Sequence, residues 1–159
     1  MSTNIINLCK KNIQIISFSI LLLLILNSYN IIWLEIFFYV LLHILFVYWT
    51  IHDQKINYFI VFIIAFVLDL FLVSNFGPHL IIFLIFFFLI KKLNKFLKNI
   101  EEILILLQHF ILTFIMLFLE HILAIYLYDQ VFNISILIKY LIVLICIIFP
   151  TYKILNRIS

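Results

Sequence analysis

Glycine is almost missing from this chain: Gly77 is the single one in 159 residues. Alanine is nearly as scarce, with only Ala65 and Ala124, and proline occurs twice, as Pro78 and Pro150. Charge is also short, at 11% of residues against about 25% in an ordinary soluble domain. So few charges, with 68% hydrophobic residues, exclude a water-soluble globule, because a core this short cannot hide so much apolar side chain. They also exclude disorder, which needs low hydrophobicity and high net charge. The two cysteines, Cys9 and Cys146, are far apart, so neither a redox pair nor a zinc site is suggested. A glycine-rich phosphate loop is lacking, as is any Ser-His-acid or Cys-His grouping in a recognisable context.

What is present is apolar and aromatic: aromatics are 18% of the chain, and mean hydropathy is +1.35. A helix that crosses a bilayer needs about 20 largely apolar residues. Six would take about 120 and leave no room for a soluble catalytic domain of roughly 50 residues or more. Phe, Ile, Asn and Lys dominate while Gly and Ala are depleted, the bias of an AT-rich bacterial genome. Membrane helices usually rely on small residues to approach closely. The few small residues here therefore mark contact points.

Six apolar runs follow. The first, Ile13 to Leu26, is preceded by Lys10 and Lys11 and resembles a signal peptide. Its exit, Asn27-Ser28-Tyr29-Asn30, lacks the small-x-small cleavage pattern and reads as an uncleaved span. The second runs from Ile31 to Ile51, with Trp33, Tyr48 and Trp49 as interfacial anchors. The third runs from Ile56 to Val73, and Ser74-Asn75-Phe76-Gly77-Pro78 is the clearest turn. The fourth, His79 to Ile90, leads into the basic connector Lys91 to Lys98. The fifth, Glu101 to Tyr128, is 28 residues, or about 42 Å of helix, so it must tilt or protrude. The sixth runs from Ile134 to Tyr152. Strand alternation is absent, and only helices satisfy their own backbone in lipid here. The expectation is an all-α integral membrane protein: one domain over residues 1–159, a bundle of six transmembrane helices.

Orientation follows from the basic residues. With both termini in the cytoplasm, Lys10, Lys11, Lys55, Lys91, Lys92, Lys95, Lys98, Lys153 and Arg157 fall on the cytoplasmic side. Only Lys139 is left over. The net charge of +3 is then a topogenic bias with some attraction to anionic membrane lipids, and nucleic acid is not an expected partner.

Charges inside a span cost a few kcal/mol or more each. Asp69, Glu120 and Lys139 all fall in the expected outer half. Either the Lys pairs with the acids, or it snorkels alone to the outer headgroups. Ala65 lies four residues before Asp69 and Ala124 four after Glu120, so each shares a face with its acid. The stripe His109, Thr113, Glu120, Ala124 and Tyr128 reads as a helix–helix contact. His43, His109 and His121 could ligate a metal, but no ligand spacing supports it, and hydrogen-bonded, inward-facing histidines are expected. Structural polar contacts are favoured over acid–base chemistry, and no metal or cofactor is expected.

Two segments read together resemble the rod shape-determining protein family MreD. The first is Tyr48-Trp49, a short polar loop and Lys55-Ile56-Asn57. The second is Val67-Leu68-Asp69-Leu70, then Ser74-Asn75-Phe76-Gly77-Pro78. The order, the six runs and the late Pro150 followed by basic residues match that family's outline. The chain departs from it in lacking the loop proline near Asp53, in carrying Phe, Ile or Ala for glycines in the third span, and in Lys139.

The resemblance implies a non-enzymatic component of the cell-wall elongation machinery in the bacterial inner membrane. Its partner would be MreC, and through it MreB, RodA and a penicillin-binding transpeptidase. The family fold is also similar to substrate-binding membrane subunits of vitamin importers, which gives an alternative: a small-molecule-binding transporter subunit. Asp69, with Gly77 and Pro78, is expected to matter most. It would hold the turn between spans three and four, either charged against Lys139 or protonated and bonded to a neighbouring helix, since burial disfavours the charged form.

Overall fold

The computed structural model describes residues 21, 24, 31–52, 57–70, 77–93, 102–129 and 132–158. Within them lie five helices: α1 (Ile32–His52), α2 (Tyr58–Leu68), α3 (Pro78–Leu93), α4 (Glu102–Tyr128) and α5 (Ile134–Ile158). Three of these, α1, α4 and α5, are long and apolar enough to cross a membrane. The 11 residues of α2 and 16 of α3 reach only about 16 and 24 Å at 1.5 Å per residue. The expected first span and most of the basic connector fall outside the described residues, although Leu21 and Leu24 are helical.

Helix α1 is the centre of the bundle and packs on α3, α4 and α5, while α2 pairs with α3. Its sequence explains the position. Val40, Leu42, Ile44, Phe46, Val47 and Trp49 are all buried and point around the helix, as a helix that is apolar all round must be covered on every side. On its α3 side, Phe46 and Phe83 sit with ring centroids 4.3 Å apart. On its α5 side, Ile36, Val40 and Ile44 meet Val143, Leu144 and Ile148. Ala65 of α2 is fully buried, as expected of a small residue that lets helices approach. Ile63, Ile85, Ile111, Ile142 and Phe149 face outward and stay exposed, a surface suited to lipid rather than water.

Helix ends follow local chemistry. Pro78 opens α3 at a position where a missing N–H costs nothing. Asp129 ends α4 with φ of 51°, a left-handed turn that a short polar side chain tolerates. Asn133 caps α5, its Oδ1 accepting from the Ser135 N–H at 3.0 Å. The sequence places the end of the last helix near Tyr152, but α5 continues through Pro150 to Ile158. Side chains beyond the proline pack back on the bundle: the Tyr152 ring lies 5.2 Å from His109, and Asn156 accepts from the Tyr48 hydroxyl at 3.2 Å. Such contacts carry a helix through a single lost backbone bond.

Candidate functional site: a buried acid–histidine–tyrosine chain beside a cavity

Asp69 stands in the final turn of α2 and is fully buried. Its carboxylate accepts the backbone N–H groups of Gly77, His79 and Leu80, each at 3.0 Å. Gly77 precedes the helix, Pro78 has no N–H, and His79 and Leu80 complete the first turn, so one side chain from α2 satisfies all the free donors at the start of α3. The first internal bond, Ile81 N–H to the Gly77 carbonyl, follows at 3.3 Å. An anion at a helix N-terminus also meets the positive end of the helix dipole. The fourth donor to Asp69 is the His79 ring, Nδ1 to Oδ1 at 2.8 Å. Four donors on two oxygens is the setting of an ionised carboxylate.

From His79 the chain runs on. Its Nε2 lies 2.7 Å from the Tyr39 hydroxyl, which is 2.9 Å from Glu120 Oε2. The same oxygen is 2.7 Å from His43 Nε2. The other nitrogen of His43, Nδ1, donates to the Tyr39 carbonyl at 2.8 Å, because a carbonyl can only accept. Four helices thus contribute: α2 (Asp69 at its end), α3 (His79), α1 (Tyr39 and His43) and α4 (Glu120).

Counting the bonded protons, with none on Glu120 Oε1, relates the bonds to the charge. Five hydrogen bonds join these side chains to one another and to the Tyr39 carbonyl, and each holds one proton. Five protons on these five groups make the set neutral as a whole. With Asp69 ionised, the other four groups carry one net positive charge. It rests on His79, on His43, or on both with Glu120 ionised. Neutrality with every bond made is what permits such a cluster in an apolar interior. Among the described residues, Glu120 Oε1 is buried and has no partner.

Glu120 is among the residues that line a cavity of about 370 Å³ at the same end of the bundle. Glu35 and Tyr39 of α1, His79 of α3, His121 and Ala124 of α4, and Lys139 and Tyr140 of α5 also line it. Tyr39 and Tyr140 stack with centroids 5.6 Å apart.

The sequence candidates divide clearly. Asp69 is bonded to the backbone of Gly77, His79 and Leu80, on either side of Pro78, and to the His79 ring rather than to Lys139. Glu120 is buried, with His43 and Tyr39 as partners. Among the described residues Lys139 pairs with neither acid: its Nζ lies 5.5 Å from the centre of the exposed Trp33 ring. Ala65 is in the core, while Ala124 is half-buried at the cavity. The three histidines weighed as metal ligands are apart: His43 bonds Glu120, His109 lies near Tyr152, and His121 lies near Phe132. Among the described residues no group of three or more His, Cys, Asp or Glu could hold a metal.

Sequence reasoning missed Tyr39 and His79. A signal for Tyr39 existed, since it lies four residues before His43 and so shares its face. Nothing local connects His79 to it, as the two are 40 residues apart. Comparison with known protein families, curated proteins and solved structures finds no match to this chain.

Proposed function

We propose that this chain is a scaffold of the bacterial cell-wall elongation machinery, a non-enzymatic relative of MreD that acts by binding MreC. In this reading it lies in the inner membrane with six spans, the segment Ile13 to Leu26 being the first, and both termini in the cytoplasm. The observation that carries the reading is the Asp69 unit. The two parts of the second motif, Leu68-Asp69-Leu70 and Gly77-Pro78, are separate in sequence, yet one carboxylate joins them across the α2–α3 turn. A motif whose parts are bonded to each other is a structural device, and here it holds the start of α3 against the end of α2; Ser74, Asn75 and Phe76 of the motif lie outside the described residues.

The test is a detergent pull-down of the full chain with its cognate MreC. Stoichiometric capture is expected, and loss of capture in Asp69→Leu at normal protein level. A fold-competent chain that does not retain MreC defeats the reading. Reporter fusions after Asn94 and after Asn133 should read cytoplasm and outside respectively, and the reverse result sinks the topology.

The cavity favours a second reading, a small-molecule-binding membrane subunit. Its aromatic and polar lining fits that role. A ligand and an ATPase module would then co-purify with the chain in place of MreC.

A further inference from the structure

The cavity owes its place to helix length. Tyr39, Glu120 and His79 are joined by hydrogen bonds, and Tyr140 stacks on Tyr39, so four helices can be measured from one level. From Tyr39 to the start of α1 at Ile32 is seven residues, from Glu120 to the end of α4 at Tyr128 eight, and from Tyr140 to the start of α5 at Ile134 six. At 1.5 Å per residue these are about 10, 12 and 9 Å. From His79 to the start of α3 is one residue. Helix α3 thus stops about two turns short of its three neighbours at this end.

The capping shows how it can. A helix start below a membrane surface cannot rely on bulk water for its free N–H groups. Here Asp69 takes those of Gly77, His79 and Leu80, and Pro78 has none. Gly77, Pro78 and His79 are all buried, and Leu127 and Tyr128, the last residues of α4, lie against Gly77.

A helix with its side chains is about 10 Å across, so two turns fewer of one leave on the order of several hundred Å³. The cavity of about 370 Å³ has that size and that position. Its walls are the first turns of α1, the outer turns of α4 and the first turns of α5, while α3 gives only Pro78 and His79. Polarity then says what it holds. Only 11% of the chain is charged, yet Glu35, Glu120 and Lys139 all line this one space. Glu35 and Lys139 are half-buried, and the salt bridges among the described residues, His43–Glu120 and His79–Asp69, involve neither. Charges at such a depth are tolerated where they meet water inside the bundle.

We propose that the cavity is a water-filled vestibule, open to the outside of the membrane, that stands where α3 lacks its outer turns and admits small hydrophilic solutes as far as Tyr39, His79 and Glu120. The inference rests on the membrane topology proposed above and holds whether the partner is a protein or a small molecule. Outside water then ends at the hydrogen-bonded chain, about 10 Å below the ends of the long helices, instead of at the membrane surface.

The test is cysteine accessibility in the full chain, with Cys9 and Cys146 replaced by serine. On α4, His121 and Ala124 line the cavity. Ile122 lies between them in depth but is 40% exposed on the outer surface of the bundle. A charged, membrane-impermeant methanethiosulfonate is added outside right-side-out vesicles, and labelling is read as a mass shift. His121→Cys and Ala124→Cys should react about tenfold or more faster than Ile122→Cys, because the reagent attacks the thiolate, which apolar surroundings suppress. Ile136→Trp, from the facing wall, should slow both several-fold by filling the space. Equal rates at the three positions overturn the proposal. So does no labelling at His121→Cys and Ala124→Cys in a chain that labels once unfolded. Labelling from the cytoplasmic side alone overturns it too, and the reporter fusions then decide whether the topology has failed with it. Capture of MreC by the unmodified chain is a separate result, so the scaffold reading stands or falls by itself.

Discussion

Histidine is packed at both ends of the central helix, under different terms, His43, His79 and His109 being buried and His52 exposed. At the cavity end His43 meets Glu120 at 2.7 Å and His79 meets Asp69 at 2.8 Å, so both rings have carboxylate partners. At the far end His52 and His109 donate only to carbonyls one turn earlier, Tyr48 and Ile105. Their other neighbours are rings: His52 stacks on Tyr48 at 4.0 Å, and His109 lies 5.8 Å from His52. One end is wired across four helices, the other is packed as aromatic filling. A carboxylate leaves a large penalty if its donors are removed, whereas a ring that touches only rings and a carbonyl is replaceable by another ring. Function is therefore sought at the first end, and tolerance to change at the second.

The comparison breaks hardest at Asp69. Asp69→Leu strips three backbone donors and the His79 ring of their acceptor, a loss of about 3–5 kcal/mol, as for a broken buried pair. A thermal unfolding scan in detergent should show a large fall in Tm, and unchanged Tm would refute the capping role.

Gly77→Ala comes next. Gly77 does not need a left-handed backbone; it needs room, because an added Cβ would collide with the Tyr128 hydroxyl at the end of α4. A cost of about 1–3 kcal/mol is expected, the scale of overpacking. Adding Tyr128→Phe should recover part of it, since the hydroxyl is the nearest atom. No recovery in the double variant would place the cost elsewhere.

Asp69→Asn is smaller, about 1–2 kcal/mol. The amide keeps one acceptor oxygen but turns an N–H₂ toward a donor. The smallest effect belongs to the far end. His109 Nε2 has no partner, so His109→Phe should be within about 0.5 kcal/mol of neutral or stabilising. A loss as large as that of Asp69→Asn would show that the two ends are not so different.

These expectations also mark what was legible in the sequence. Ala65 beside Asp69, and His109, Thr113 and Glu120 of the stripe, carry their inward direction in helical spacing and are buried, while Ala124 and Tyr128 of the same stripe are half-buried. The start of α3 is written in Gly77-Pro78. The connectivity of the site is not so written. Glu120 and His43 are 77 residues apart, and Tyr39 and Glu120 are 81 apart. Their meeting depends on which helices neighbour α1, and hydropathy gives span positions without neighbours. Which of the two alternatives for Lys139 holds was not written in the sequence for a related reason. Equal depth in a membrane does not imply equal azimuth, and Lys139 turns to Trp33.

The chain from Asp69 to His43 also has an electrical character. Three protons can each cross their own bond, between His79 and Tyr39, Tyr39 and Glu120, and Glu120 and His43, without any heavy atom moving. The outcome is the transfer of one positive charge from His79 to His43, with every hydrogen bond kept. The string is thus a dipole with two senses. One of its ends, His79 on Asp69, is the anchor of α3.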